Sequence, residues 1–285
     1  MLSHILREVS SHLNEAIVSY QEVSGGSINE AYKLETQTSY YFLKYNIGIE
    51  SKGIITSELD SLELISKAGV RTPKILHILH HDNLNGIVLE WIETNSESTL
   101  LTANLDFAEQ LFTLHSSLSE NFGYSKSNYI GSLTQKNAEF STFEEYYMGS
   151  RLEPQLRMAY DQGYFDNHDI ADHFSKVLPL HIPKEKPTLI HGDLWSGNYI
   201  ISTDDKCYLI DPSISYSHRE MDIAMMHLFG SVPIAVIDRY HSQLPLADGW
   251  KDRMDLFQLY YLLVHLNLFG KSYYNSVKRI IEKYT

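Results

Sequence analysis

Residues 189–201 constrain the fold of this chain more than any other stretch. They read as an apolar strand, a tight polar loop and a second apolar strand. The loop contains His191-x-Asp193, and Asn198 follows the aspartate by five residues. Another aspartate, Asp211, ends the next apolar run. A polar turn between the two runs predicts a β-hairpin that brings Asn198 and Asp211 to the same end of neighbouring strands.

This spacing is typical of phosphoryl transfer from a metal-bound nucleotide. That reaction needs a positioned carboxylate and metal ligands more than covalent chemistry from the protein. Asp193 is the predicted base that orients the acceptor hydroxyl. Asn198 and Asp211 are the predicted ligands of Mg²⁺, which prefers oxygen donors. The alternative is that both aspartates only cap turns, a common role of this residue.

The charge balance argues against some classes of function. The 285 residues include 23 basic and 36 acidic side chains, for a net charge of −13. This argues against a general binder of nucleic acids or anionic membranes, because both need a basic face. An amine-bearing substrate is compatible with it. The single cysteine, Cys207, excludes a disulfide within the chain and a cysteine-type zinc site.

No targeting or membrane segment is evident. The first residues lack the basic-then-apolar layout of a secretory signal. The most apolar late stretch, residues 259–269, is shorter than the ~18 residues that a membrane span needs. We therefore expect a soluble cytoplasmic protein.

The N-terminal region has the features of a nucleotide-binding β-sheet. After a predicted helix over residues 1–17, strand-like segments flank a loop that contains Gly25, Gly26 and Ser27. Such a loop lets backbone N–H groups approach phosphates closely. A glycine hairpin without a ligand is the alternative.

Lys44 lies at the end of the next predicted strand, residues 40–45, on the same face as Phe42. A lysine in this position contacts nucleotide phosphates in kinases, although a solvated edge lysine is also common. A helix over residues 56–68 follows. Glu58 in that helix is predicted to pair with Lys44 and orient its amine, with Glu63 as the rival.

Three histidines, His77, His80 and His81, fall in the following hairpin. We interpret them as surface residues, because no carboxylate or cysteine shares their spacing; a metal site is the alternative.

A change in composition at residues 92–93 marks a boundary between two parts of the chain. A buried strand ends there and a polar, unpatterned segment begins. We predict a small β-rich lobe over residues 1–92 and a larger, mainly helical lobe over residues 93–285. The hinge residues Glu90, Trp91 and Ile92 are candidates to hold adenine through backbone groups. A plain linker is the alternative.

The second part is predicted to be mainly helical. Residues 140–160 indicate a helix that is broken near Gly149 and Pro154. Asp222, near the start of another predicted helix, could brace the loop around Asp193 or simply favour a helix N-terminus. The fold class predicted for the whole chain is α+β.

The chain resembles the fructosamine kinase (ketosamine-3-kinase) family. That family belongs to the aminoglycoside-phosphotransferase-like branch of the protein-kinase-like fold, which has two lobes. The resemblance runs over nearly the whole chain. It rests on these motifs: Gly25-Gly-Ser-Ile-Asn-Glu-Ala-Tyr, Phe42-Leu-Lys44, Glu58, Phe122-Gly, Asn128-Tyr-Ile-Gly131, Arg151-Leu-x-Pro-Gln155, His191-Gly-Asp-Leu-Trp-Ser-Gly-Asn198 and Asp211-Pro212.

The resemblance implies ATP-dependent phosphorylation of the sugar 3-hydroxyl of ketosamines, with ATP and Mg²⁺ as cofactors. The product is unstable, so the sugar can leave and the amine is regenerated. Substrates would be fructosamine, ribulosamine or erythrulosamine adducts, as small molecules or on glycated protein side chains. The oligomeric state is not predicted.

The resemblance also implies roles for individual residues. Asp193 accepts the proton, Asn198 and Asp211 bind Mg²⁺, Lys44 contacts phosphates and Glu58 orients it. Residues 90–92 hold adenine. Trp195 is predicted to stack against the sugar, with packing as the alternative. His191 is placed with Trp195 among the substrate-contacting residues.

Two departures from the family pattern are visible. Many members carry a cysteine in the glycine-rich loop, and this chain has Ser27 near that place, so redox control through the loop is not expected. Ser213 replaces an alanine that is frequent in the family. Other functions stay open: a kinase of another hydroxylated amine, such as an aminoglycoside or choline, or a non-catalytic binding protein with a kinase fold.

Overall fold

The computed structural model describes residues 1–23, 29–94, 100–166, 169–229 and 232–284. The predicted loop residues Gly25, Gly26 and Ser27 lie outside the described residues. The N-terminal part consists of α1 (Leu2–Leu13), β1 (Ser19–Glu22), β2 (Glu30–Glu35), β3 (Tyr40–Ile47), α2 (Ser51–Lys67), β4 (Ile75–His81) and β5 (Leu84–Glu90). Its strands form an antiparallel sheet in the order β1-β2-β3-β5-β4.

The two faces of this sheet are covered by different helices. Leu43 and Tyr45 lie in one apolar cluster with Ile5 and Val9 of α1. Phe42, on the opposite face, packs against the cluster that contains the apolar residues of α2. The alternation predicted along β3 is thereby confirmed, and Lys44 shares the α2 face with Phe42 because side chains alternate along a strand.

The helix α2 begins at Ser51, earlier than the predicted start at residue 56. The first turn of α2 could not be predicted from the sequence because it contains Gly53, and glycine is unfavourable inside a helix. A Cβ at this position would lie 2.5 Å from the hydroxyl of Tyr129, so the glycine allows close packing. The helix ends as predicted. Gly69 has φ +90°, and Val70 donates its N–H to the carbonyl of Ile65 at 3.2 Å.

The remaining elements build the larger, mainly helical part. They are α3 (Leu100–His115), β6 (Phe122–Gly123), β7 (Asn128–Ile130), β8 (Leu133–Gln135), β9 (Glu139–Phe140), α4 (Phe143–Tyr146), a π-helix (Tyr147–Leu152), α5 (Glu153–Asp161), α6 (Ile170–His181), β10 (Thr188–Ile190), β11 (Tyr199–Ile201), β12 (Cys207–Leu209), β13 (Ser215–Ser217), α7 (Glu220–Leu228), α8 (Ile234–Gln243), α9 (Met254–Phe269), a 3₁₀ turn (Lys271–Tyr273) and α10 (Tyr274–Tyr284).

The apolar stretch of residues 259–269 belongs to α9, which is buried in the core of this part. None of the described helices is both long and apolar enough to cross a membrane. The π-helix stands where the sequence predicts a break near Gly149, and Pro154 lies in the first turn of α5, where proline is tolerated.

The β7–β8 hairpin and the residues just before it contact α2. The hydroxyl of Tyr129 on β7 donates to Glu50 at 2.9 Å, and Lys126 pairs with Asp60 at 2.7 Å. The same hairpin holds the chain after Asp211, since Ser213 donates its hydroxyl to the carbonyl of Tyr129 at 2.7 Å. It therefore ties α2 to the segment that follows the metal-ligand candidate.

Candidate active site

The carboxylate of Asp222 anchors the loop between β10 and β11 through hydrogen bonds to its backbone. This fully buried carboxylate of α7 accepts backbone N–H groups from His191 at 2.7 Å and Gly192 at 2.9 Å. His115 of α3 lies within 3.2 Å of the same carboxylate. Of the two roles considered for Asp222, the geometry is that of a brace for the loop.

Gly192 is required by a close approach of two loops. Its φ is +81°, and a Cβ at this position would lie 2.0 Å from the carbonyl oxygen of Ser213. Ser213 in turn donates its backbone N–H to the carbonyl of His191 at 2.8 Å. The loop that carries Asp193 and the segment that carries Asp211 are thus fixed to one another by backbone contacts.

Asp193 is oriented by Asn198. The side-chain amide of Asn198 donates to the Asp193 carboxylate at 3.0 Å and to its backbone carbonyl at 2.7 Å. Burial raises the pKa of Asp193 well above its usual value, and the hydrogen bond from Asn198 only partly opposes this. A carboxylate with a raised pKa and a fixed orientation suits a proton acceptor.

Asn198 and Asp211 are brought together by the hairpin that the sequence predicts. Tyr199 of β11 pairs with Leu209 of β12, and Ile210 donates its N–H to the carbonyl of Asn198 at 3.1 Å. The NH₂ of Asn198 is used by Asp193, so its amide oxygen remains for a cation. Asp211 has φ +52° and leaves 44% of its side chain exposed. These two oxygen donors fit Mg²⁺.

Lys44 faces this pair from the β-sheet. Its ammonium pairs with Glu58 at 2.9 Å and also contacts Asp211 directly. Burial alone would lower the pKa of Lys44, but the two carboxylates outweigh it and raise the pKa. Burial raises the pKa of Glu58, and the ammonium offsets this only in part. Glu63 is exposed and pairs with Lys67 at 3.1 Å, so Glu58 is the partner of Lys44.

The hinge candidates follow β5. Glu90 accepts the backbone N–H of Lys74 at 2.9 Å. Trp91 donates its indole N–H to Glu93 at 2.8 Å, and the ammonium of Lys33 lies 4.4 Å from the centre of its ring. The side chains of Glu90 and Trp91 are therefore engaged with neighbours, and the adenine hypothesis rests on backbone groups. Ile92 is half-buried.

The two predicted substrate residues differ in accessibility. Trp195 is half-buried, and its ring packs so closely that a Cβ at Gly197 would lie 2.5 Å from it. Part of the indole thus remains exposed for a ligand.

His191, by contrast, is 0% exposed. Its Nδ1 accepts the backbone N–H of Asp193 at 3.3 Å, so Nε2 donates to the carbonyl of Ile210 at 2.9 Å. Burial lowers the pKa of His191 and keeps it neutral. The expectation of a substrate contact from His191 is therefore corrected: both ring nitrogens are engaged within the protein and position the loop.

Sequence reasoning assigned no role to one buried cation, the guanidinium of Arg151. Arg151 in the π-helix is 2% exposed, and within the described residues its Nη2 has no hydrogen-bond partner. Its guanidinium lies 4.9 Å from the ring centre of Tyr146 and 5.7 Å from that of Tyr260. Burial raises the pKa of Tyr260, and the positive charge of Arg151 opposes this in part. The Arg-Leu-x-Pro-Gln motif, which contains Arg151, was the sequence feature that could have pointed to this residue.

Comparison with known proteins identifies the family. The fructosamine kinase family model matches residues 1–285. The chain belongs to the fructosamine kinase family. A protein of Enterococcus faecium named probable ketoamine kinase is 36% identical over 266 residues, which cover 92% of this chain and 94% of that protein. A probable ketoamine kinase of Lactiplantibacillus plantarum is 32% identical and covers 94% and 95%. The predicted family is confirmed.

Solved structures agree with the predicted fold. A Thermobifida fusca protein, assigned to the fructosamine-3-kinases by name, has a TM-score of 0.85 and 30% identity, with 98% and 97% of the two chains covered. A complex of the aminoglycoside phosphotransferase APH(4)-Ia with AMP-PNP and hygromycin B has a TM-score of 0.62 at 14% identity, with 98% and 97% covered. The α+β, protein-kinase-like fold is thereby confirmed.

We expect Asp193→Asn to raise the melting temperature by about 1–4 °C. The folded-state pKa of Asp193 lies above its unfolded value, so the stability that protonation contributes is present at low pH and is lost as pH rises through the folded pKa. Asparagine stays neutral and can still accept from Asn198. The gain should therefore be larger at pH 8 than at pH 4 in thermal unfolding without nucleotide.

A matched control is Asp204→Asn, in the exposed turn of the same hairpin. A hydrogen bond from Ser202 lowers the pKa of Asp204, so replacing this carboxylate by a neutral amide should not raise the melting temperature. A fall in melting temperature for Asp193→Asn, or a gain that shrinks towards pH 8, would contradict the account of Asp193.

Proposed function

We propose that this protein is an ATP-dependent kinase that phosphorylates the sugar 3-hydroxyl of ketosamines. The observation that carries the proposal is the convergence of Asp193, Asn198 and Asp211 through hydrogen bonds, with the ammonium of Lys44 in contact with Asp211. Membership of the fructosamine kinase family supports the substrate class. Kinases of aminoglycosides share the fold alone, so another hydroxylated amine is the less favoured substrate.

In this proposal Asp193 accepts the proton of the acceptor hydroxyl. Its orientation comes from the amide of Asn198, and the raised pKa brings its basicity closer to neutral pH. The backbone contacts of Asp222 and Gly192 keep the loop in place before substrate binds. Catalysis of this kind depends on positioning and charge stabilisation.

The nucleotide and its ion would be held by groups from both parts of the chain. Asn198 and Asp211 would hold Mg²⁺ through oxygen, and Lys44, oriented by Glu58, would contact phosphates. When bound, Mg-ATP supplies the phosphoryl group and the ion neutralises charge on it. Residues 90–92 would hold adenine through their backbone, and Gly25, Gly26 and Ser27 would cover the phosphates.

On the substrate side, the exposed part of Trp195 would stack against the sugar. Residues 1–92 would form the nucleotide-binding lobe, and residues 93–285 the catalytic and substrate-binding lobe. The unstable 3-phosphate would then release the sugar and regenerate the amine, so the overall outcome is deglycation. Small ketosamines and glycated protein side chains in the cytoplasm are the proposed substrates.

The role of Asp193 is tested by the Asp193→Asn variant. Without a positioned base, turnover should fall about 10²–10⁴-fold, while the affinity for Mg-ATP stays within a few-fold. Steady-state kinetics and calorimetric titration with a non-hydrolysable ATP analogue measure the two quantities. Near-normal turnover in a folded variant would remove Asp193 from the mechanism, and Asp204→Asn serves as the control.

The role of Glu58 is tested against Glu63 of the same helix. Glu58→Gln removes the charge that orients Lys44, and misplacement of a phosphate contact can cost up to about 10²-fold in kcat/KM for ATP. Glu63→Gln changes an exposed residue and should leave kcat/KM unchanged. Equal effects of the two substitutions would mean that the Lys44–Glu58 pair does not orient the nucleotide.

The substrate class is tested by a panel of acceptors in an ATP-consumption assay. Ketosamines of four-, five- and six-carbon sugars should be phosphorylated, and phosphorus NMR should locate the phosphate on the 3-hydroxyl. Activity on choline or an aminoglycoside without activity on any ketosamine would overturn the proposed substrate but keep the kinase. Absence of Mg-ATP binding would overturn both.

A further inference from the structure

Away from the candidate active site, α1 and β4 bring two histidines to one carboxylate, and two further histidines pack on the first two. Glu8 is this carboxylate. His77 and His81 of β4 approach its two oxygens at 3.4 and 2.9 Å. His4 packs edge-on against His81, and His12 stacks on His77 with 3.8 Å between ring centres. The residues come from elements about 70 positions apart in the sequence, so only the packing of α1 on the sheet assembles them.

Three of these groups have the arrangement of a metal site. His4 and Glu8 are four residues apart on α1 and therefore lie on the same face of the helix. His81 reaches the same point from β4. One ligand atom from each of the three residues lies within 4.8 Å of the other two. At zinc–ligand distances near 2.0–2.1 Å and tetrahedral angles, ligand atoms lie about 3.4 Å apart.

We propose that His4, Glu8 and His81 form a binding site for a divalent transition metal, with Zn²⁺ as the best match. Two imidazoles and one carboxylate are a common zinc ligand set that leaves a fourth position for water. Imidazole donors also favour such an ion over Mg²⁺, which takes oxygen ligands. His4 and His81 are exposed, so rotation of their side chains can bring the ligand atoms to the spacing that a bound zinc ion requires.

The rival interpretation is a set of plain histidine–carboxylate hydrogen bonds without a metal ion. It accounts for the contacts of Glu8 with His77 and His81, but it leaves His4 with ring packing alone, since His4 makes no side-chain hydrogen bond within the described part of the chain. The proposed site is independent of the proposed kinase function. Its expected effect is on stability, because a bound ion would link α1 to β4 and stabilise the folded state by mass action.

The test is calorimetric titration of the full-length chain, without an affinity tag, with ZnCl₂. We expect one equivalent of Zn²⁺ to bind, with at least about 10-fold weaker binding in His4→Ala and in His81→Ala. His80→Ala is the matched control. His80 is the adjacent strand residue and contacts Asn85 at 3.0 Å, so its replacement should leave Zn²⁺ binding unchanged.

Two further measurements distinguish this site from the candidate active site. Asp211→Asn should retain the binding, and a large excess of Mg²⁺ should not displace the ion, since its preferred ligands are oxygens. Zn²⁺ should also raise the melting temperature of the wild type but not of His4→Ala. The proposal would be overturned if the wild type bound no Zn²⁺, or if His4→Ala and His81→Ala bound it as tightly as the wild type. Loss of binding in Asp211→Asn or in excess Mg²⁺ would also overturn it.

Discussion

The ammonium of Lys44, shared between Glu58 and Asp211, is the interaction on which the rest of the site depends. It joins the β-sheet, α2 and the segment after β12 in one contact. A buried charge is tolerated only when it is paired. Two carboxylates for one ammonium leave a surplus of negative charge, which a divalent cation beside Asp211 would offset. In the proposed function, the same contact that joins the two parts of the chain would prepare the site for a metal–nucleotide complex.

The position of Asp193 depends on backbone contacts more than on its own side chain. Asp222 accepts two consecutive N–H groups of the loop, and Gly192 allows the carbonyl of Ser213 to approach without a clash. Asp211 keeps a left-handed backbone conformation that costs free energy in residues other than glycine. These constraints fix the carboxylates before any ligand arrives, which is how a site stabilises charge without reorganisation.

Much of the fold and of the site could be predicted because it depends on short-range pattern. The alternation in β3, the end of α2 at Gly69 and the β11–β12 hairpin all follow from residues close in sequence. Two features could not be predicted: the burial of His191, and the lack of a hydrogen-bond partner for Nη2 of Arg151 among the residues that the structure describes. Both depend on which elements pack above and below them, and local pattern contains no information on that packing.

The sequence by itself determined the family and the two-part α+β plan. It also determined that Asn198 and Asp211 converge, because a hairpin of a dozen residues has few ways to close. Only the tertiary structure decided that Glu58 and not Glu63 meets Lys44, since helical periodicity allows several faces and packing selects one. It also decided that His81 meets Glu8. Residues so far apart in the chain become neighbours only when α1 covers the sheet.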